Sequence, residues 1–496
     1  RSNTAYGITA MDAITTGDAN VAIGHSAGTA LNTGNNNTYI GFQAGLVSTD
    51  ATHNVFVGNY SGMTNTSGIN NVGIGYGALS GHDGENNNIG VGKSVLGAAN
   101  SGAEYNIAIG NFSLDALTSG DFNVAIGHNA LTANETGGNC TAVGYLAGED
   151  NTAHELTAIG SKAAMNNTSG GGITAIGREA YNNADTESHN TAIGLNSMGG
   201  AVNGGEYNVA IGNYTLDALT SGDQVVAIGY QAGANITSGA NSVFVGYDAG
   251  GDITTGEHNV FVGNATGGNF DTESHNLGIG TNALNGSIAG GEYNVAVGNY
   301  TLDALTSGDR NTAVGYGAGG AVTTGIGNTL IGHEAGKTMA DDSQATLIGN
   351  YAGQAATVGQ LTALGYGALY ANTSGIKNTA IGYDSGQRVT ESNGNVLIGY
   401  ETYGPQTGNN NIVGNSSGKV MTTGYYNNSL GTAVFAALTT GYNNIAMGHD
   451  AGHTIATGNH NIHIGYKTGP SASDRENTIL IGHGDGINNF NDAGAN

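Results

Sequence analysis

A glycine recurs along this chain at a nearly constant interval. It closes phrases such as "VAIG" and "TAVG" and falls at Gly7, Gly24, Gly41, Gly58, Gly75 and onward to Gly482. Twenty-nine such anchors leave 28 intervals; 22 are 17 residues long and the others 15, 16 or 18. Self-similarity held at one period is the signature of stacked repeats, so no other feature constrains the fold as much.

The residue before the anchor is Ile, Val, Leu or Met in every copy but the first, which has Tyr6. Val, Ile, Thr or Leu stands three before it in most copies. Side chains alternate along a strand, so these two share a face. Asn stands four before the anchor in 21 of the 29 copies. A glycine commonly sits seven before it, as at Gly17, Gly120, Gly222 and Gly441, where a turn needs a residue at ease with positive φ. The phrase "TLDALTSGD" alone would pass for a helical turn. β-branched triplets separated by small residues and glycine turns favour strands instead. The pattern predicts an all-β parallel β-solenoid, a β-roll of about 29 coils of 17 residues, each rising about 4.8 Å to give about 140 Å in all. The Asn column is expected to form a ladder, each side-chain amide bonding the next coil's.

Regular coils are expected over 1–398 and again over 432–486, with 487–496 a C-terminal tail. Residues 399–431 read as irregular coils of the same solenoid: one interval falls to 15, Pro405 intervenes and "NIVG" replaces "VAIG". A distorted coil or protruding loop is expected at 402–412.

Whole coils are also duplicated. "GGEYNVAIGNYTLDALTSGD" at 204–223 returns at 290–309 with only Ile211 changed to Val297, and a third version lies at 101–121. The copies of Glu104, Glu206 and Glu292 are 102 and 86 residues apart, six and then five coils. A solenoid tolerates such duplication because each coil contacts mainly its neighbours.

The strand "VAIG" is apolar on both faces. Val21 and Ile23 are read as inward. Ala22, enlarged elsewhere to Phe56, Phe244, Phe261, Leu330, Leu347, Leu397 and Leu480, is read as facing a partner chain. A strand apolar on both sides is normally covered on both. A homotrimer, intertwined or side by side, is expected, since threefold symmetry suits three equivalent surfaces; a dimer stays open.

Composition limits the partners. The net charge is −26 and Lys and Arg total 11, which disfavours nucleic acid. The single Cys140 excludes an internal disulfide framework. No apolar run approaches the ~20 residues of a membrane span. The start "RSNTAYG" has neither a signal-peptide pattern nor a methionine, so a mature or truncated product is expected. Open solenoid ends present unpaired backbone groups, so further fibre or filament modules are expected there.

Three groups of residues stand out as candidate sites. Tyr follows the anchor in nine coils, including Tyr145, Tyr230, Tyr247, Tyr316 and Tyr366, and His in five. Such a column reads as a ladder packing along the solenoid or, alternatively, as contacts for a host-surface glycan. "NHNIHIG" sets His460 close to His463, which replaces the usual Ala; from three chains they would surround an axial structural metal ion, the plainer alternative being a hydrogen-bonded interface histidine. Asp121, Asp223 and Asp309 follow "TSG" turns and read as solvated turn residues rather than Ca²⁺ ligands, since the nonapeptide GGxGxDxUx is missing. No other cofactor is expected. No Ser/His/Asp or paired-carboxylate constellation stands apart from the repeat, so a non-enzymatic protein is expected. A polysaccharide-degrading β-helix would need an irregular groove with clustered acids, and an ice-binding solenoid uninterrupted Thr columns.

The phrase "NVAIGxxA" resembles the head repeats of trimeric autotransporter adhesins, which implies a left-handed parallel β-roll trimer. The 17-residue form, "NTAVGYGAG" at 311–319 and "NTAIGYDSG" at 378–386, resembles the repeat shafts of bacteriophage tail fibres. The resemblance covers about residues 3–486. It implies a structural tail-fibre shaft on a virion, involved in host attachment. The alternative it leaves is a bacterial or archaeal cell-surface adhesin or extracellular filament subunit.

Overall fold

The computed structural model describes residues 1–98, 102–287, 289–470 and 472–484. Among them are 29 strands of three residues each, one per anchor glycine, and no helix. They fall in two compact units, Arg1–Asp248 and Ala249–Asn496. The first holds β1 (Thr4–Tyr6) to β15 (Val243–Val245); the second holds β16 (Val260–Val262) to β29 (Ile479–Ile481). Within each unit every strand pairs in parallel with the strand of the next coil, residue on equivalent residue, as Val209, Ala210 and Ile211 do with Val226, Ala227 and Ile228. Each unit is therefore a parallel β-solenoid.

The anchor glycine fixes the period. Gly24 has φ +135° and Gly229 φ +135°, a region that side chains rarely enter. A Cβ on Gly24 would also lie 2.4 Å from the carbonyl oxygen of Gly41, the anchor one coil on. Neither conformation nor space admits another residue.

The inward and outward faces are the reverse of the expected ones. Ala22, Ala108 and Ala210 are fully buried, with Phe56, Phe244, Phe261 and Leu330 in the same column. Val21 is half-buried and Ile23 is 38% exposed. The reason is volume: a 17-residue coil encloses little space, so small residues fit inside it and β-branched ones are turned out. Where a large residue enters the inward column, a glycine six residues on makes room. A Cβ on Gly62 would lie 2.4 Å from the Phe56 ring, one on Gly267 2.4 Å from Phe261, and one on Gly336 2.8 Å from Leu330. Several coils with a small inward residue carry a buried Leu at that place, as at Leu114, Leu131 and Leu216; others, such as those of Ala22 and Ala142, carry Gly28 and Gly148.

The Asn column is buried and continuous over long runs, but its main partners are backbone groups. The Asn20 amide donates to the carbonyl oxygen of Gly34 at 2.9 Å, and its Oδ1 accepts from the backbone N–H of Asn37 at 2.9 Å. Direct amide-to-amide bonds accompany these in some coils, as from Asn37 Nδ2 to Asn20 Oδ1 at 3.1 Å. Each side chain ties both the strand and the turn of the next coil to its own.

The three 18-residue coils are accommodated in one way. Glu85, Glu187 and Glu273 each occupy the turn position usually held by glycine, one coil ahead, and are 3–5% exposed. The Glu187 carboxylate accepts from the backbone N–H groups of Asp185 and Thr186, both at 3.1 Å, and of Gly204 at 2.8 Å. Glu273 does the same with Asp271, Thr272 and Gly290. The extra residue leaves backbone donors without a ladder partner, and a buried carboxylate satisfies them.

The segment 399–431 does not interrupt the sheet. β24 (Val396–Ile398), β25 (Asn411–Val413) and β26 (Asn428–Leu430) pair in register, and the ladder runs through Asn395, Asn410, Asn427 and Asn444. No loop protrudes at 402–412. The two lost residues draw the turn inward, so Tyr403, Gly404 and Pro405 are buried. In that coil Leu397 and Tyr403 are both large, an exception to the pairing of large residue with glycine.

Candidate functional site

Two features run along each unit: an apolar strip and a column of rings. The strip consists of the outward residues of the strands, with Thr in the first outward column of many coils and Asn411 and Asn428 breaking it at β25 and β26. Ile109, Ile126, Ile211 and Ile228 are 36–39% exposed, and Ile107, Val124, Val209 and Val226, two residues before them, are half-buried. In the second unit Ile279, Leu364, Ile445 and Met447 continue the pattern at 38–46%. No charged residue stands in either outward column of β7 (Ile107–Ile109), β8 (Val124–Ile126), β13 (Val209–Ile211) or β14 (Val226–Ile228).

The tyrosines beside the anchor flank this strip. Tyr145, Tyr230, Tyr247, Tyr316 and Tyr366 are all 42–55% exposed. They also pack along the solenoid. Tyr230 and Tyr247 stack at 5.4 Å and 12°, and Tyr145 meets His128 at 5.8 Å. In the second unit Tyr300, Tyr316, His333, Tyr351, Tyr366, Tyr383 and Tyr400 form an unbroken series of ring contacts over seven coils. Parallel pairs such as Tyr366–Tyr383, 9° apart, spend their faces on each other and present edges to solvent. A second ring column lies in the turn before the strand, where His258, His275 and Tyr293 stack at 4.9 and 4.8 Å and Arg310 lies over Tyr293.

The structure does not bring His460 and His463 together. His460 lies in that turn, edge-on to Tyr442 at 5.3 Å. His463 is fully buried inside its coil because its column is the inward one. Its Nε2 is 3.0 Å from Thr478 Oγ1, and that hydroxyl donates to Asn461 Oδ1 at 2.6 Å. The hydroxyl therefore accepts from an Nε2–H imidazole. Burial pushes the His463 pKa down to about 4. A side chain so enclosed does not face an axis shared with other chains. Among the described residues no group of three or more His, Cys, Asp or Glu is placed to hold a metal ion.

Asp121, Asp223 and Asp309 have structural partners. Their carboxylates accept from the backbone N–H groups of Glu104, Glu206 and Glu292 in the preceding coil, at 2.8, 2.7 and 2.9 Å. Six residues before them in the same duplicated blocks, Asp115, Asp217 and Asp303 have carboxyl pKa values raised by partial burial.

Among the indentations of the described surface, two bear on function. One, of about 490 Å³, lies between His154 and His189, where the intervening coil has Gly171 and Gly172. The other, of about 430 Å³, lies at the shortened coil, where Asn393 and Tyr425 face each other across Gly408. The sequence predicts a distorted coil or a protruding loop at 402–412; the structure has a recess there instead of a loop.

Among the described residues no helix is long and apolar enough to cross a membrane. Comparison with known proteins matches this chain to no family model and to no curated relative.

Proposed function

We propose that this chain is a non-enzymatic structural fibre protein, a segment of a bacteriophage tail-fibre shaft serving host attachment, and that it works as a parallel homotrimer. The outward apolar strip carries this reading. Its two columns are about 7 Å apart and its strands about 4.8 Å apart, so the fourteen steps of the first unit cover roughly 450 Å². That matches the largest apolar patch of an ordinary monomer, about 300–600 Å², before the flanking tyrosines are counted. A partner that keeps contact on strand after strand must repeat its apolar groups at the same spacing. A second copy, parallel and in register, does so. Three copies converging on one axis cover every strip and close the assembly. The likeness of "NTAIGYDSG" to phage shafts favours three over two.

The regularity of the coils also supports a scaffold rather than an enzyme, since one environment is repeated instead of several groups converging on one point. A cell-surface adhesin or extracellular filament is the second reading, favoured by the likeness of "NVAIGxxA" to adhesin heads. Sedimentation equilibrium tests the assembly, with three chain masses expected. A stable monomer at micromolar concentration overturns the strip as an interface, and a dimer overturns the threefold arrangement. Antibodies to the chain are expected to label tail fibres on virions; labelling of a cell envelope would favour the adhesin.

A further inference from the structure

We propose that the indentation at the shortened coil is a binding site for a neutral saccharide, which seats one face on the ring of Tyr425. The argument starts from how rings are used elsewhere in the chain. In the regular columns each parallel ring covers the next, so little ring face is left for a ligand. Tyr425 differs. One of its faces is covered by Tyr442, parallel within 3° at 4.8 Å. On its other side the residue in register, seventeen positions earlier, is Gly408, which has no side chain to stack on it, and the Tyr426 ring packs against Tyr425 at 5.3 Å and 72°. The ring is 38% exposed and lines a recess of about 430 Å³ together with the more exposed Tyr426. That volume falls within the ordinary range for small-molecule sites, about 300–1,000 Å³.

The opposite wall and floor are polar. Asn393, Asn409 and Glu391 line the recess with exposed side chains. The Oδ1 of Asn393 accepts from the backbone N–H of Ile376 at 2.7 Å, which orients the amide and leaves its NH₂ group as a donor. Gln406 is held from both ends, accepting from Thr390 Oγ1 and donating to the Arg388 carbonyl oxygen at 2.7 Å. The Asn393 amide and the Glu391 carboxylate beside an exposed tyrosine pair whose neighbour in the preceding coil is a glycine match one ligand chemistry. A pyranose ring has a face of C–H groups, slightly positive, that suits the negative face of an aromatic ring. Its rim of hydroxyls both donates and accepts, as the amides and the carboxylate do. Glu391 at the rim and the net charge of −26 disfavour sugars that carry a carboxylate. Gly408 leaves the recess open, as Gly171 does at the indentation beside His154.

This proposal does not rest on the fibre reading: a chain that sediments as a monomer and still binds sugar leaves it intact. The test is saturation-transfer NMR on the full chain with methyl glucoside, methyl galactoside and methyl mannoside, and with N-acetylneuraminic acid as the charged comparison. Transfer to at least one neutral glycoside is expected. Tyr425→Ala is expected to weaken binding roughly tenfold, and Tyr425→Phe, which keeps the ring face, to change it less than twofold. Asn393→Ala is expected to weaken it severalfold and keeps the question open to test if Tyr425→Ala disturbs the coil. Tyr207→Ala, in the turn column and stacked on His189 at 5.0 Å, should leave binding unchanged. No transfer to any neutral glycoside overturns the proposal. So does binding indifferent to both Tyr425→Ala and Asn393→Ala, and so does preference for the charged sugar.

Discussion

The carboxylate of Glu187 reaches one coil forward to accept the backbone N–H of Gly204 at 2.8 Å. Gly204 opens the coil that carries one extra residue, and Glu85 and Glu273 make the same bond to Gly102 and Gly290. The acid and the insertion travel together through the duplicated blocks because each requires the other. Glu187→Gly restores the usual turn residue but leaves buried donors unmatched, a cost of about 1–3 kcal/mol. Deleting Gly204 alone leaves the carboxylate without that donor. Combining the two changes should be markedly less destabilising than the sum of the single effects. Amide hydrogen exchange over residues 185–209 measures each case, and additive effects would refute the coupling.

A similar reciprocity links Phe56 to Gly62. A leucine at Gly62 meets the phenyl ring, although leucine itself tolerates this turn, as Leu79 at φ 56° and Leu96 at φ 50° demonstrate. Gly62→Leu should therefore destabilise strongly, and Phe56→Ala should cost about 3–5 kcal/mol through the cavity it leaves. The double variant rebuilds the small-inward, large-turn arrangement of neighbouring coils. It is expected to recover more than half of the loss in chemical denaturation.

The reversed faces make opposite predictions for adjacent residues. Ala210→Asp buries a charge inside a coil and should unfold that coil locally, seen as lost exchange protection around residues 195–230. Ile211→Asp places a charge on the outward strip, where the single chain already exposes the side chain. Its coil should stay folded while association weakens, read by sedimentation at falling concentration. If Ile211→Asp unfolds the coil and Ala210→Asp does not, the face assignment fails.

The period was legible because a glycine held at φ +135° against the next coil's carbonyl admits no substitute, so it recurs without exception. The Asn column was legible for the same reason: Asn20 serves two backbone groups, and few other side chains do. The inward face was not legible from alternation, which separates two faces without saying which is enclosed. A signal existed in the pairing of Tyr39 with Gly45 and Phe56 with Gly62, where one large residue displaces another six positions on. Of the candidate tyrosines, exposure and stacking were both expected from the column; the direction of the ring faces was not, because it depends on side-chain torsions set between coils. Tyr425 escaped notice because its open face is created by Gly408, a residue conspicuous only for what it lacks.

The buried histidines set the response to acid. His463 ordinarily would titrate near 6.5; enclosed in its coil beside His453, it titrates at about 4, and burial takes His82 to about 3. The folded chain therefore takes up these protons at lower pH than the unfolded chain does. Between pH 6.5 and 4 the unfolded state binds more protons at these sites, so their share of stability declines as pH falls through that window. For His463 the loss is at most about 3 kcal/mol, at 1.36 kcal/mol per unit. Ala is the usual residue of its column, so His463→Ala should fold and should flatten the pH dependence of the C-terminal coils. Urea titrations at pH 7.5, 5.5 and 4.5, with exchange protection of Ile462–Ile464 as the local readout, measure the difference. The variant is expected to gain relative to the parent as pH falls. A constant gap between the two at all three pH values would show that His463 does not carry the effect.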